Sequence, residues 1–427
     1  MSYQSPAAAP IVGNGAQSRF GARLAIVATA ALVLRIGVRL AHGTGTYWAD
    51  GYTQYKALAD SLAAGHGYAF PGQPPTAFRV PLYPLFIAAT TGGNANPWLL
   101  ITAQAVVSSV LVILTGLLAR RLYGPAAGLL AATWCAIYPY YAWHDLSLQE
   151  SGLFAALTAL ATLLLFAARD HRRPMLAVTA GAALGAAILT RAVLAPFAML
   201  AVAWLMVPDG HNWRRRLTSA GLVLGAMSLT LAPWLTRAHA LTGGSNLGTE
   251  FGQSVYAGAS PLLFGAFPEE SVDVSRRIIF TAMSPADMHS LSQAAGIGPA
   301  AESDWYARCA LDMALADRTG YAARAVRKLA IAFGPRPAPH HGMVADTAYA
   351  LCWLPLLTLG MLGLWRDRAN WRRTSLLVAH LAAFSAVTAL VWAQTAHRAY
   401  LDLYLMVLAS PVLLGWLPPR ARLALAR

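Results

Sequence analysis

The residues of this chain that could do chemistry are a few charged side chains beside long apolar runs. Asp50 stands in YWADGYTQYKALADSLAAGHGYAF, residues 47–70, directly after one apolar run, and Glu150 opens another. Ionisable groups at membrane depth are costly, which favours a functional role. The structural alternatives are a helix N-cap for Asp50 and a contact with the helix dipole for Glu150.

Arginines near the same boundaries supply the opposite charge. Arg79 directly precedes VPLYPLF, and Arg191 lies at the tip of the short hairpin LTRAV. A planar guanidinium binds phosphate oxygens well, so both are candidates for a lipid phosphate. The alternative is a side chain that snorkels to the interface. The further candidates for phosphate or sugar contacts are Arg398, Lys56, Arg237, Tyr55, Tyr83 and His144.

A metal site is a weaker interpretation of the same region. His144 precedes Glu150 in one loop, and with Asp50 these side chains could hold a divalent cation. Their spacing is not diagnostic. The three cysteines, Cys135, Cys309 and Cys352, form no CxxC pair.

The composition indicates the class of protein to which these residues belong. Of 427 residues, 57% are hydrophobic and only 12% are charged, against roughly 25% charged in soluble domains. The chain is therefore predicted to be an all-α polytopic membrane protein. Its formal charge of +14 comes mainly from arginines clustered between apolar runs, which is typical of membrane orientation and not of nucleic-acid binding.

Apolar runs that can cross a bilayer need roughly 17–25 residues as helix. About ten segments approach this length. They are 21–42, 98–119, 124–142, 148–168, 175–190, 192–207, 217–235, 347–365, 375–393 and 400–417.

Arginine clusters fall on one face of these spans, which the positive-inside rule makes cytoplasmic. Both termini are then inside, and the two long polar loops are outside. The predicted organisation is a cytoplasmic tail (1–20), a first membrane module (21–235) with an outer loop (43–97), an outer-face segment (236–346), further spans (347–418) and a second tail (419–427).

The outer-face segment shows helical spacing. Tyr321 and Leu329 fall on one side of the predicted helix, and Arg324, Arg327 and Lys328 fall on the other. A basic amphipathic helix of this kind is suited to the lipid interface, and the alternative is a surface helix that covers the membrane domain.

A series of motifs runs through the chain in a characteristic order. The stretch around Asp50 and FRVPLYPLF are followed by YPYYAWHDLSLQE, GAALGAAILTRAVLAPFAML, LAPWLTRAHALTGG and AHRAYLDLYLMVLASP. The series resembles the GT-C superfamily of membrane glycosyltransferases, in particular the branch of protein O-mannosyltransferases and lipid A aminoarabinose transferases. One departure is His397, which stands where that branch often has an acidic residue.

The resemblance implies an inverting transfer of a sugar from a polyprenyl phosphate to an acceptor hydroxyl. It implies that Asp50 is the general base, that Glu150 is a second carboxylate of the site, and that arginines bind the departing phosphate. It further implies a bacterial cytoplasmic membrane protein with its site on the periplasmic face. Membrane lipids are expected partners, nucleic acid is not, and the acceptor can be a lipid, a glycan or a protein.

Two other classes stay open. A lipid or glycan transporter or flippase would also be polytopic with intramembrane charges, but it favours internal repeats, and none is visible here. A membrane scaffold without catalysis would explain the outer loops but not the ordered motifs.

Overall fold

The computed structural model describes residues 14–49, 51–171, 173–208, 212–244, 246–392 and 394–426. Asp50, the predicted base, lies outside the described residues. Within these ranges the protein is helical, and its β-structure is limited to isolated bridges between Gly51 and Leu148 and between Ala69 and Pro75. The predicted all-α class is confirmed.

Helices α1 to α10 form the first part of the fold. They are α1 (Asn14–His42), α2 (Thr53–Ala63), α3 (Leu82–Thr91), α4 (Pro97–Tyr123), α5 (Pro125–Ile137), α6 (Pro139–His144), α7 (Ser151–Asp170), α8 (Pro174–Thr190), α9 (Ala195–Met206) and α10 (Trp213–Thr242). The second part contains α11 (Glu250–Ala259), α12 (Val272–Thr281), α13 (Pro285–Ile297), α14 (Pro299–Ala316), α15 (Arg318–Ala332), α16 (Met343–Arg366), α17 (Trp371–Leu390), α18 (Thr395–Arg398), α19 (Asp402–Trp416) and α20 (Pro419–Ala426).

Seven helical segments of the described chain are long and apolar enough to cross a membrane: Ser18–His42, Pro97–Tyr123, Ser151–Asp170, Trp213–Thr242, Met343–Arg366, Arg368–Leu390 and Thr395–Trp416. The other three predicted spans coincide with shorter apolar helices, Pro125–Ile137, Pro174–Thr190 and Ala192–Met206. Each of the ten predicted segments is thus a helix. Helix α10 continues past the predicted boundary at 235, with Pro233 inside it.

Local sequence signals set many helix ends. Proline occupies the first turn of α4, α5 and α8, where its missing N–H leaves no intrahelical bond unmade. Asn96 caps α4 by accepting a hydrogen bond from the Trp98 N–H at 3.0 Å. Gly92 ends α3 with φ of 56°, a left-handed conformation that suits glycine.

Helix α19 lies at the centre of the bundle, and its residues from 402 to 410 are all buried. Helix α16 packs against it through small residues. A Cβ atom on Gly363 would lie 1.9 Å from the Leu408 carbonyl oxygen, and one on Gly360 would lie 2.9 Å from Leu405 Cδ2. Small residues let helix backbones approach closely where dispersion contacts, and not water exclusion, drive packing.

The two polar segments lie at the same end of the bundle and are bonded to each other. The backbone N–H of Thr249 donates to the Ala77 carbonyl at 3.2 Å, and that of Glu250 donates to the Phe78 carbonyl at 3.3 Å. Arg237, at the end of α10, donates through Nη1 to the Thr76 carbonyl at 2.8 Å. This joint between the segments positions the candidate site.

The basic helix predicted near 321–333 exists as α15, but its charges are arranged differently from the prediction. Lys328 is buried, and its Nζ donates to the carbonyls of Gly258 at 3.0 Å, Val391 at 3.0 Å and Leu390 at 3.3 Å. These carbonyls end α11 and α17, so one ammonium caps two helices. Burial lowers the pKa of Lys328 to about 8, which leaves it largely protonated at pH 7. Lys328 is therefore not available to lipid phosphates, as the interfacial interpretation of this helix requires, because it donates to carbonyls inside the protein.

Replacing Lys328 by Met should lower the thermal stability of the purified protein. The change leaves three buried carbonyls without their charged donor, at a cost of roughly 2–3 kcal/mol. The midpoint of thermal unfolding in detergent measures it. Arg318→Met, at the exposed start of the same helix, is the matched control, and equal midpoints for the two variants would contradict this role for Lys328.

Candidate functional site

A short contact between the first outer loop and the turn before α7 brings polar residues of the loop to the start of α7. The Tyr52 N–H donates to the Leu148 carbonyl at 3.1 Å. Gly51 has φ of 98°, and a Cβ there would lie 2.7 Å from the Leu148 oxygen, so only glycine fits. Gly51 and Tyr52 therefore lie beside Leu148, two residues before Glu150 in the chain.

Glu150 and Arg191, both predicted site residues, form a buried ion pair. Arg191 Nε lies 3.1 Å from Glu150 Oε1, and the two side chains are 9% and 5% exposed. Glu150 precedes α7 and Arg191 follows α8, so the pair joins two helix ends. The second oxygen, Oε2, has no hydrogen-bond partner among the described residues. A buried carboxylate with one unpaired oxygen can accept a hydrogen bond from a further donor.

Arg79 lies in a second ionic group. Its Nη2 donates to Glu250 Oε1 at 2.7 Å, and Arg276 Nη1 approaches the same oxygen at 3.7 Å. The guanidinium carbon of Arg79 lies 5.5 Å and 5.1 Å from the ring centres of Tyr52 and Tyr55. Burial by itself would lower the pKa of Arg79, but Tyr55 and Glu250 raise it above its ordinary value. Arg79 is therefore a fixed positive charge.

Tyr52 lies between the Glu150–Arg191 ion pair and the ionic group of Arg79. Its hydroxyl lies 3.3 Å from Gln394 Oε1 and 3.3 Å from His397 Nε2. Burial raises the pKa of Tyr52, and the Glu150 carboxylate raises it further, so the phenol stays protonated.

We call Tyr52, Arg79, Glu150, Arg191, Glu250 and Arg276 the arginine–carboxylate cluster. Its three arginines face two glutamates, and Asp273 lies 3.9 Å from Arg276 Nη1 beside them. Guanidinium groups that lie close together in a partly buried setting attract an anion. A phosphate ester is the anion that guanidinium groups bind best at membrane depth.

Several buried polar atoms near this end of the bundle lack partners within the described ranges. They are Arg79 Nε, Glu150 Oε2, Tyr140 Oη, His144 Nδ1 and Gln149 Oε1. The His144 ring packs on Tyr140 with 4.1 Å between centres, and burial lowers its pKa to about 4, so it is a neutral imidazole at pH 7. Native proteins satisfy nearly all such atoms, so this region has capacity for a polar ligand or water.

Other predicted site residues are occupied elsewhere. Arg398 is fully buried with its guanidinium carbon 3.2 Å from the Trp353 ring centre, and it pairs with Asp402 at 3.4 Å. Arg237 holds loop carbonyls, as described above, and Lys56 pairs with Asp60 at 2.5 Å.

The two tyrosines predicted as site residues have different surroundings. Tyr55 contacts both Arg79 and Tyr83, whereas Tyr83 lies in an apolar cluster and only approaches the Gln104 amide at 3.4 Å. Gln104 Nε2 also donates to the carbonyls of Asp145 at 3.1 Å and Ser147 at 2.8 Å. Gln104 thus holds the turn that leads to Glu150.

Sequence reasoning missed Glu250 and Arg276. Both lie in the polar segment after α10, where charges are frequent and no motif marks these two. His397 was noticed only as a departure from the family pattern. The structure gives it a position beside Tyr52 that chain order does not indicate.

The metal hypothesis has little support in the described residues. Within the part of the chain that the structure describes, no three His, Cys, Asp or Glu side chains are grouped so that they could hold a metal ion. Glu150 pairs with Arg191, and His144 packs on Tyr140.

Comparison with solved structures identifies the fold. The chain is similar to the oligosaccharyltransferase AglB from Archaeoglobus fulgidus in complex with an inhibitory peptide and a dolichol-phosphate, with 16% identity over 93% of this chain and 51% of that one, and a TM-score of 0.54. The apo form of the Archaeoglobus fulgidus oligosaccharyltransferase gives a TM-score of 0.57 at 14% identity, over 93% of this chain and 50% of that one. The chain therefore spans about half the length of these enzymes.

A further similar structure is ArnT from Cupriavidus metallidurans bound to undecaprenyl phosphate, with 14% identity over 96% of this chain and 82% of that one, and a TM-score of 0.42. Among curated protein sequences, none matches the chain significantly.

The chain is a polytopic helical membrane protein with the GT-C fold, and the predicted resemblance to GT-C membrane glycosyltransferases is confirmed. Residues 75–236 match the family model described as dolichyl-phosphate-mannose-protein mannosyltransferase. This match includes Arg79, Glu150 and Arg191.

Removing only the arginine charge of the Glu150–Arg191 pair should destabilise the protein more than removing both charges of the pair. Arg191→Gln leaves Glu150 buried without its cation, which costs roughly 3–5 kcal/mol, whereas Glu150→Gln/Arg191→Gln leaves no unpaired charge. The midpoint of thermal unfolding in detergent compares the variants.

Arg121→Gln is the control, because the Arg121–Asp170 pair is more exposed, at 31% and 40%. It should shift the midpoint little. A double variant as unstable as the sum of its two single variants would contradict the coupling.

Proposed function

We propose that this protein is an inverting glycosyltransferase that moves a sugar from a polyprenyl-phosphate donor to an acceptor hydroxyl. We place the reaction on the outer face of a bacterial cytoplasmic membrane, with both termini in the cytoplasm. The observation that carries the proposal is the arginine–carboxylate cluster, which groups three guanidinium groups with a buried carboxylate, Glu150, whose Oε2 has no partner among the described residues. The family match of residues 75–236 and the GT-C fold support it.

Arg79 and Arg276 are proposed to bind the phosphate of the donor. The two guanidinium groups converge on Glu250 Oε1, so one oxygen atom can be reached by both. Bound phosphate would offer them more acceptor oxygens than this single carboxylate does. As the sugar leaves, negative charge grows on the phosphate, and fixed cations stabilise that charge.

Asp50 is proposed to act as the general base. In the transfer, the acceptor oxygen forms a bond to the anomeric carbon, the bond from that carbon to the phosphate oxygen breaks, and Asp50 takes the hydroxyl proton. The chain places Asp50 between Ala49 and Gly51, and Gly51 adjoins Leu148, two residues before Glu150. A carboxylate is a side chain that can take the proton of an incoming hydroxyl at neutral pH.

Glu150 is proposed to orient the donor sugar. Its free oxygen can accept a hydrogen bond from a hydroxyl, and its partner Arg191 fixes the other oxygen. Orientation of this kind contributes through the positioning of reactants and not through proton transfer.

The direct test of the function is sugar transfer by the purified full chain in nanodiscs that contain polyprenyl-phosphate mannose or polyprenyl-phosphate aminoarabinose. Release of polyprenyl phosphate with a labelled acceptor product supports the proposal. Translocation of such lipids across the bilayer without any transfer would favour the transporter alternative.

Arg79→Gln and Arg276→Gln should each raise the donor KM by about tenfold or more. Each loses a charge-assisted hydrogen bond to phosphate, worth roughly 1.5–3 kcal/mol. Initial transfer rates against donor concentration measure the effect. Arg277→Gln is the matched control, because this exposed neighbour of Arg276 lies on the same helix. An unchanged donor KM in both cluster variants would remove these arginines from the phosphate site.

Asp50→Asn should lower kcat by roughly 10²–10⁴ and change the donor KM little, because the amide cannot take the proton. Single-turnover transfer, combined with separately measured polyprenyl phosphate binding, distinguishes a chemical defect from a binding defect. Asp312→Asn, on the exposed side of α14, is the control carboxylate variant. Full activity of Asp50→Asn would refute the proposed mechanism.

A further inference from the structure

A groove of about 550 Å³ lies on the side of α2 that faces away from the core. The opposite side of α2 carries Tyr55, Leu58 and Ala59, which are buried. The groove is lined by Trp48, Thr53, Lys56, Ala57, Asp60, Ser61 and Ala64 on one wall and by residues from His66 to Gln73 on the other. Its volume falls within the range of about 300–1,000 Å³ that small-molecule sites occupy.

The lining contains both hydrogen-bond donors and hydrogen-bond acceptors, and the opposite charges of its ion pair cancel. Lys56 Nζ donates to both carboxylate oxygens of Asp60 at 2.5 Å, and the Asp60 side chain is 45% exposed. Partly exposed pairs of this kind contribute little to stability, so their polar atoms remain available to a ligand. A neutralised pair does not select an anionic ligand.

Aromatic rings accompany the polar groups. Trp48 and Phe70 both line the groove, with Thr53, Ser61, His66 and Gln73 around them. The Lys56 ammonium lies 4.7 Å from the Trp48 ring centre, which fixes its position. Sugar hydroxyls both donate and accept hydrogen bonds, and the C–H faces of a sugar pack on rings. The mixture therefore suits a neutral carbohydrate better than a phosphate or an apolar chain.

The groove and the arginine–carboxylate cluster share one wall. Trp48 and Thr53 line the groove, whereas Tyr52 lies in the cluster, and the residue between Ala49 and Gly51 is the proposed base. Lys56, predicted as a phosphate ligand, thus lies in the groove with its own carboxylate and not among the arginines.

We propose that this groove, which we call the α2 groove, binds the acceptor, and that the acceptor carries a neutral carbohydrate group. The inference rests on the proposed glycosyltransferase function. It assigns the two substrates to neighbouring sites that meet near Tyr52 and Thr53, with the donor phosphate at the cluster and the acceptor sugar in the groove.

The first test is binding of the purified full chain, in nanodiscs, to an array of neutral mono- and oligosaccharides. We expect binding of at least one neutral glycan, with apparent affinity at least tenfold weaker for Asp60→Asn and for Lys56→Met. The matched control is Asp304→Asn, which removes an exposed carboxylate from a separate groove lined by Asp304, Ala307, Arg308 and Leu311. Absence of neutral glycan binding, or binding that survives both α2 groove variants, overturns the proposal.

The second test uses the transfer assay and separates the two proposals. Groove variants should raise the acceptor KM at least tenfold and leave the donor KM unchanged. If the wild-type protein transfers sugar but the variants keep the wild-type acceptor KM, the groove assignment is overturned and the function stands. If the wild-type protein transfers no sugar, the proposed function fails, and glycan binding then decides the groove separately. A rise in donor KM alone would assign the groove to the donor and overturn the inference.

Discussion

The ion pair between Glu150 and Arg191 is the interaction on which the arrangement of this site depends. It lies where α7 begins and α8 ends, and both side chains are almost fully buried. A single buried charge at this depth would be too costly to keep, so the two helix ends must stay together. Because the turn before Glu150 also holds Tyr52 through Leu148, the pair fixes the position of the first outer loop.

Arginine serves two different purposes in this fold. Arg237 and Arg398 have partners inside the protein, either loop carbonyls or a neighbouring carboxylate and ring, and their positions join helices or loops. Arg79 and Arg276 instead share one carboxylate oxygen of Glu250, and Arg276 Nη2 also donates to Gln253 Oε1 at 2.9 Å. The second pattern is the one expected of cations that exchange an internal acceptor for a ligand.

The sequence was sufficient to predict the helical class, the ten apolar segments and the resemblance to GT-C enzymes, because membrane spans and family motifs are local signals. It also drew attention to Glu150, Arg79 and Arg191, which lie beside span ends. Their partners were not predictable. Glu250 is 171 residues from Arg79, and Lys328 caps carbonyls more than sixty residues away. Such contacts depend on how the two outer segments pack, and the spacing of apolar residues in the sequence does not predict that packing.

An inverting transfer places its own geometric demand on the site. The incoming hydroxyl and the departing phosphate must approach the anomeric carbon from opposite sides. A protein meets this demand when a phosphate site and an acceptor site open towards the same sugar from opposite directions. In this chain Tyr52 lies against Arg79, whereas Trp48 and Thr53 line the α2 groove. Asp50 stands between Trp48 and Tyr52 in the sequence, which is the reason to consider the two substrate proposals together.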